Sequence, residues 1–287
     1  MISAKTKVCA IIGDPVEHSL SPVMHNAAFK ELGLNLVYVA FTVTSTELKT
    51  AVLGTKTLGL KGLNVTMPHK NAVINYLDEV DTTAKNIGAV NTILNNQGKL
   101  IGYNTDGAGA MVALQENGVY PEEKKMLLIG AGGAAKAIAY QAAQDVDELV
   151  ILNRTAKKAK QLAQMLQSCD AKVTGTALSS NVLKDELSTT DILVNATSVG
   201  MHPSIDCSPV PSDLLRSDLC VMDIIYNPLK TRLLKDAQSA GATVVSGLEM
   251  LIYQGAVAIE IWTNCPAPVA VMRTAALNQL KKQGVQC

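Results

Sequence analysis

The segment Met126-Leu-Leu-Ile-Gly-Ala-Gly-Gly-Ala-Ala135 joins an apolar strand pattern to a helical one through glycines, and such a junction reads as a dinucleotide site. Gly130 and Gly132 allow a tight turn and a close backbone approach to a pyrophosphate. That group then rests on the unpaired N–H groups of a helix starting near Gly133. Ala131 and Ala134 lie in the same turn, and Ala135 takes the third glycine place, where a small side chain lets helix and strand pack. A second apolar run, Leu149–Leu152, ends roughly 20 residues on, where an NAD site carries a carboxylate for the ribose 2′-hydroxyl. This chain has Asn153, Arg154 and Thr155 there, with Lys157 and Lys158 beyond. A guanidinium beside an amide and a hydroxyl attracts a 2′-phosphate that a carboxylate would repel, so the expected cofactor is NADP. Lys157 reads as a solvated helix residue. Lys158 lies one turn from Arg154, and either reaches the same phosphate or is solvated too.

Further polar segments are too rich for folding alone. In His18-Ser-Leu-Ser-Pro22, Ser21 is expected to cap a helix whose first residue is Pro22. Ser19 is not needed for that cap, and two hydroxyls beside a positive helix end suit a carboxylate. In Asn64-Val-Thr-Met-Pro-His-Lys70, the residues Asn64, Thr66 and Lys70 stand at the carboxyl end of a buried strand, where parallel sheets bind ligands. A solvated lysine opening a helix is the ordinary alternative for Lys70. Asp106, in Gly102-Tyr-Asn-Thr-Asp-Gly107, lies at a strand-to-helix turn, where capping is the simpler role. An ammonium and a carboxylate at neighbouring strand ends can share a proton network, and a partly desolvated lysine can transfer protons near neutrality. Asn91, in Gly88-Ala-Val-Asn-Thr92, is either a donor to a ligand hydroxyl or an ordinary turn amide. Oxidation of an alcohol by NADP needs one acid–base group, hydrogen bonds for the remaining hydroxyls, and a cofactor platform; these segments supply all three.

The elements that must position these residues alternate strand and helix. Val8–Ile12, Leu36–Thr42 and Gly62–Val65 read as strands, with helices over Pro22–Leu32 and Thr46–Leu58, a βαβαβ order that implies a parallel sheet. Ala89–Asn95 and Lys99–Tyr103 flank Asn96-Gln-Gly98 and predict a hairpin added at one sheet edge. A helix over Gly107–Asn117 leads into the glycine-turn unit, whose further strands are Lys172–Thr174, Asp191–Asn195, Cys220–Ile225 and Thr243–Val245, with helices including Lys157–Gln167 and Lys230–Ala240. After Ser246-Gly247 the pattern is helical, Leu248–Trp262 and Val269–Lys281, and these helices are expected to return to the first domain. The expected fold is α/β with two domains: 1–106 with 248–287, a mostly parallel substrate-binding sheet, and 107–247, a Rossmann-like NADP domain, leaving a cleft at the two crossings.

Composition excludes other classes. The 287 residues carry 25 basic and 25 acidic side chains, so neither nucleic acid nor an anionic membrane is an expected partner. No run of about 18 apolar residues is present, the amino terminus reads as leading into a strand so that no export signal is expected, and the six cysteines have no metal-site or paired spacing. Buried thiols, no metal and a reducing cytoplasm are expected. His25 and His202 are expected to be structural or incidental, since Lys70 is the better proton carrier.

Taken together, Ser19-Leu-Ser-Pro22 with Met24-His-Asn26, Asn64–Lys70, Gly88–Thr92, Tyr103–Gly107, Gly130–Ala134, Asn153–Thr155, Asp223-Ile-Ile-Tyr-Asn-Pro228, and Gly247-Leu-Glu-Met-Leu251 with Gln254-Gly-Ala256 resemble the shikimate dehydrogenases over nearly the full length. The resemblance implies reversible NADP-linked oxidation of shikimate to 3-dehydroshikimate, a step of aromatic amino-acid synthesis. It implies that Ser19, Ser21 and Tyr226 bind the ring carboxylate, and that Thr66, Lys70, Asn91, Asp106 and Gln254 surround the hydroxyls. Lys70 becomes the acid–base group with Asp106 as partner. Ile224, Gly247 and Met250 line the nicotinamide pocket, Thr197 and Ser198 lie on a cofactor-side loop, and Asn153, Arg154, Thr155 and Lys158 hold the adenosine phosphate. Lys158 stands where many relatives have arginine, which softens the NADP preference. Relatives that accept NAD and quinate tend to carry an acid after the Asn-Arg-x triplet; Ala156 stands there and argues for NADP, leaving quinate open. A broader quinate/shikimate enzyme and a non-catalytic NADP-binding regulator are the rival readings, and either a monomer or a homodimer is compatible with the sequence.

Overall fold

A computed structural model describes residues 2–283, so Cys287 lies outside the described residues. The chain divides into two compact units, one running to Thr105 and resuming at Ile252–Gln283, the other Asp106–Leu251.

The first unit begins β1 (Lys7–Gly13), α1 (Ser21–Glu31), β2 (Leu36–Thr42), α2 (Leu48–Thr57) and β3 (Gly62–Val65). β1 pairs in parallel with both β2 and β3, as the βαβαβ pattern requires. A short 3-10 turn (Ala72–Tyr76), β4 (Glu79–Val80) and α3 (Thr82–Ile87) follow, then β5 (Thr92–Asn96) and β6 (Lys99–Tyr103). The sheet order is β2-β1-β3-β5-β6-β4. The predicted hairpin is therefore inside the sheet and not at its edge. β5 runs antiparallel to β3, and the outer side of β6 is taken by β4, two residues the sequence pattern did not reveal. One face of this sheet, with Ala10, Ile12, Leu63, Val65, Ile93 and Leu100, packs on Val52, Val73 and Val90 as a core.

The second unit contains α4 (Asp106–Gln115), β7 (Lys125–Ile129), α5 (Gly133–Ala142), β8 (Glu148–Asn153), α6 (Ala156–Met165), β9 (Lys172–Ala177), α7 (Ser180–Leu187), β10 (Ile192–Asn195), β11 (Cys220–Asp223), α8 (Arg232–Ser239) and β12 (Thr243–Ser246). All pairings are parallel, in the order β12-β11-β10-β7-β8-β9. The chain winds from β7 out through β8 and β9, then restarts at β10 on the other side of β7. The carboxyl ends of β7 and β10 thus flank the point where strand order reverses, the usual ligand crevice of such sheets. Leu127, Ile129, Val150, Leu152, Leu193 and Val221 are buried between the helical layers, which explains why these strands read as continuous apolar runs.

α9 (Gly247–Thr263) starts in the second unit and from Ile252 belongs to the first; α10 (Val269–Lys282) packs against α1. The expected return of the carboxyl-terminal helices is thus observed. The Trp262 indole N–H donates to the Ile93 carbonyl at 3.0 Å, fixing α9 to the first sheet. Gly62 makes this possible, because a Cβ there would strike the indole. Among the described residues no helix is long and apolar enough to cross a membrane, and no cluster of His, Cys, Asp or Glu could hold a metal ion. Burial pushes the Cys9 and Cys220 thiols up to about 12, so neither supplies a thiolate near neutral pH.

Candidate active site

The first unit concentrates its buried polar groups at the carboxyl end of β3. The Asn64 side-chain amide donates to the Asn91 carbonyl at 3.1 Å and to Thr92 Oγ1 at 3.0 Å, which leaves Oδ1 to accept from the Tyr38 hydroxyl at 2.6 Å. Asn91 Oδ1 accepts from the Thr105 N–H at 2.9 Å and the Thr92 hydroxyl at 3.0 Å, while its Nδ2 donates to Thr105 Oγ1 at 3.0 Å and Gln254 Oε1 at 3.4 Å. A buried polar group left unpaired costs roughly 1–3 kcal/mol, so a network bonded in this way resists rearrangement. It brings Asn91 and Gln254 together as expected. It adds Thr105, buried beside Asp106, for which the sequence offered only its place within the polar run Tyr-Asn-Thr-Asp.

Thr66 and Lys70 are set by backbone bonds to β1 and to the segment that leads into β5. The Thr66 N–H donates to the Ile12 carbonyl at 2.9 Å, and the Val90 N–H donates to the Lys70 carbonyl at 2.8 Å. His69 between them is buried and donates from Nε2 to the Val43 carbonyl at 2.6 Å. Gly13 ends β1 without a Cβ, which would strike the Thr66 methyl. Lys70 therefore leaves a fixed backbone beside Asn91, not a loose loop. Asp106 is buried at the first position of α4.

Ser21 departs from expectation. Leu20, with φ −81°, holds the N-cap position of α1, which starts at Ser21 itself and has no side-chain cap. The local backbone role belongs to Ser19, whose Oγ accepts the Ser21 N–H at 3.2 Å. Ser21 is buried, because the helix begins one residue early and turns this side chain inward, where its hydroxyl counters the upward push of burial on the Tyr38 phenol. One turn on, the His25 ring stacks on Tyr38 with centroids 4.2 Å apart and donates from Nδ1 to the Ser21 carbonyl at 2.9 Å. Its Nε2 has no partner, and burial lowers its pKa from 6.5 to about 4, so it is a neutral packing ring. His202 is exposed. The His25 packing role agrees with the structural place expected of it.

In the second unit, β7 ends at the glycine turn. Gly130 has φ +122°, and a Cβ there would come within 2.7 Å of the Ala196 carbonyl oxygen, so only glycine is accommodated. Gly132 is the N-cap of α5, and Gly132 and Gly133 are exposed with open space where side chains would stand. No acidic residue lies in the first turn of α5, which leaves its N–H groups and positive dipole end for an anion. Ala135 is fully buried against the strand. At the end of β8 the Asn153 Nδ2 donates to the Thr155 carbonyl at 3.0 Å, bracing the turn that presents Arg154 and Thr155 to solvent. α6 then starts at Ala156 with no acidic residue in its first turn and with Lys158 exposed. The donor set fits a dinucleotide carrying a 2′-phosphate, because the carboxylate an unphosphorylated ribose would need is missing.

Across the switch point stand Thr197 and Ser198, and next to them Ile224, Tyr226, Gly247 and Met250. A Cβ on Gly247 would strike the Ile224 backbone, so its bareness lets α9 start against that segment. Burial raises the Tyr226 phenol above its usual value of 10.0. The group that organises this side was not singled out in the sequence. Asp223, closing the apolar strand Cys-Val-Met-Asp, is wholly buried and accepts from Thr231 Oγ1 at 2.7 Å, Asn195 Nδ2 at 3.1 Å and the Ile225 N–H at 3.2 Å. Burial pushes its carboxyl up to about 6, while the three donors pull the other way. Ser19, Ser21, Thr66, Lys70, Asn91 and Gln254 thus belong to the first unit, and Asp106, Tyr226 and the cofactor residues to the second.

Comparison with known proteins places the chain in a family of this fold. Residues 11–93 match the family model of the shikimate dehydrogenase substrate binding domain. Residues 112–225 match that of shikimate / quinate 5-dehydrogenase, and residues 247–277 that of the shikimate 5′-dehydrogenase C-terminal domain. The NADP(+) shikimate dehydrogenase of Methanocaldococcus jannaschii is 50% identical over 283 residues, covering 98% of this chain and 100% of the relative. A shikimate dehydrogenase solved with NADP+ superposes with a TM-score of 0.90 at 48% identity, covering 97% of both chains. The shikimate 5-dehydrogenase of Listeria monocytogenes, solved with shikimate and NAD, gives 0.91 at 42% identity, covering 95% of this chain and 97% of that one. With motifs, fold and near-complete relatives in agreement, the chain belongs to the shikimate dehydrogenase family.

Proposed function

We propose that the protein catalyses the reversible NADP-dependent oxidation of shikimate to 3-dehydroshikimate, as a cytoplasmic enzyme of aromatic amino-acid synthesis, active as a monomer or homodimer. The observation that carries this reading is the bonded amide–hydroxyl network of Asn64, Asn91, Thr92, Thr105 and Gln254 beside the anchored Lys70. Several neutral hydrogen-bonding side chains near the backbone of one lysine suit a polyhydroxylated ring in which one hydroxyl is to lose a proton.

In this reading Ser19, Ser21 and Tyr226 take the ring carboxylate, and Thr66, Asn91 and Gln254 orient the hydroxyls. Lys70 and Asp106 are the ammonium and carboxylate of the proton-transfer step. Lys70 in its neutral form accepts the hydroxyl proton as the carbonyl forms and returns it in the reverse direction. The turn Gly130–Ala134 receives the pyrophosphate. Asn153, Arg154, Thr155 and Lys158 hold the 2′-phosphate, and Thr197, Ser198, Ile224, Gly247 and Met250 border the nicotinamide. NADP, when bound, supplies the hydride acceptor. The test is turnover of shikimate with NADP followed at the nicotinamide absorbance, with quinate and NAD run in parallel. A folded protein that binds NADP yet turns over neither acid would mark it as a regulator.

A further inference from the structure

Asp223 ties together three segments that approach the cofactor side of the second unit, and it does so without exposure to solvent. Through Asn195 it reaches the loop after β10: Asn195 Oδ1 accepts the Thr197 N–H at 3.1 Å and the Thr197 hydroxyl at 2.7 Å, and Thr197 Oγ1 accepts the Val199 N–H at 3.1 Å. Through the Ile225 N–H at 3.2 Å it holds the segment Ile224–Tyr226, whose backbone abuts Gly247. Through Thr231 at 2.7 Å it holds the residue whose Oγ1 in turn caps α8 by accepting the Leu234 N–H. A carboxylate suits this place because it only accepts, and every group facing it donates. An asparagine would turn an NH2 toward one of those donors.

We infer that Asp223 is a positioning residue for the nicotinamide half of NADP, fixing Thr197, Ser198 and Ile224 without touching the ligand. The inference rests on the NADP-linked function proposed above. The adenosine-phosphate residues Asn153, Arg154 and Thr155 sit at the end of β8, on the other side of β7 from β10 and β11. Asp223 should therefore act on one half of the cofactor and spare the other.

The experiment compares wild type, Asp223→Asn and Asp223→Ala, with a thermal melt to confirm folding. It measures kcat for shikimate with NADP and the affinity for adenosine 2′,5′-bisphosphate, which carries only the adenosine-phosphate half. Unsatisfied buried donors predict a fall in kcat of about tenfold for the asparagine and about a hundredfold for the alanine. Affinity for the bisphosphate should stay within about twofold, since no bond to Arg154 or Thr155 changes. A loss of bisphosphate affinity in step with kcat would make Asp223 a general structural support, and an unchanged kcat in the folded alanine variant would also overturn the inference. Should the alanine variant fail to fold, the asparagine variant decides by the same two readouts. Failure of the wild type to oxidise shikimate or to bind the bisphosphate would strike the proposed function itself, and this inference with it.

Discussion

His25 makes the stability of the first unit depend on pH in a way that a single substitution can isolate. The ring is wholly buried between Tyr38, Phe29 and Trp262, with Nδ1 committed to the Ser21 carbonyl and Nε2 facing no donor or acceptor. Protonation would place a charge there with nothing to receive it, and burial accordingly lowers the pKa from 6.5 to about 4. The unfolded chain binds this proton near 6.5 and the folded chain only near 4, so stability is intact above 6.5 and falls as pH drops through that window. At 1.36 kcal/mol per decade the loss amounts to about 2 kcal/mol by pH 5 and about 3 kcal/mol by pH 4. Asp223 works in the opposite sense, because its folded value of about 6 lies above the usual 3.8 and the second unit gains from it as pH falls from 6 to 4. His25→Met fills a similar volume with a side chain that does not titrate. It forfeits the Ser21 bond and the stacking on Tyr38, about 1–2 kcal/mol at pH 7. The variant should therefore be less stable than wild type at pH 7, and the two curves should converge or cross near pH 5. Urea unfolding followed by the fluorescence of Trp262, the only tryptophan and 5.6 Å from the imidazole, reads this unit directly. Groups common to both proteins cancel in the difference. A stability gap that stays constant from pH 7 to pH 5 would refute the argument that burial keeps this ring neutral.

Two substitutions test the proposed chemistry. Lys70→Ala should lower kcat by roughly 10²–10⁴, the usual scale of acid–base catalysis, with NADP affinity nearly unchanged; steady-state kinetics with a cofactor titration check both, and an intact kcat would remove this lysine from proton transfer. Arg154→Ala should weaken NADP by about 1.5–3 kcal/mol while sparing NAD, as expected for a charge-assisted bond to the 2′-phosphate, and equal losses for both cofactors in binding titrations would make the arginine structural.

Where the chain carries strong periodicity, sequence and structure coincide: β2 and β3 have the predicted limits, and the glycine turn starts α5 at Gly133. The stretch from the 3-10 turn through α3 escaped notice because each piece is shorter than the window in which a period can be recognised. Its punctuation was nevertheless present. Asp81 accepts the Thr83 N–H at 2.9 Å to open α3, and Gly88 closes it in the left-handed conformation, with φ 72°. The misplaced cap at Ser21 has a different origin. Cap preference is a local rule, whereas here the helix takes in Ser21 itself and buries its side chain against the first unit.

The end of β11 shows why candidate sites are harder to read than folds. Apolar character predicted a strand running to Ile225, yet it stops at Asp223. The cause is that the Asp223 carboxylate takes the Ile225 N–H for itself and so draws the backbone out of the ladder. The side chain that ends the strand is also the one that holds Asn195, and through it the loop after β10. Hydrophobic pattern can place such a residue at a strand end, but cannot say which donors converge on it, since Asn195 and Thr231 come from segments distant in the chain. Motif and chemistry could therefore nominate residue types for the proposed ligand-facing positions. They could not nominate the buried groups that aim them, because the role of those groups consists of partners that only the folded chain brings together.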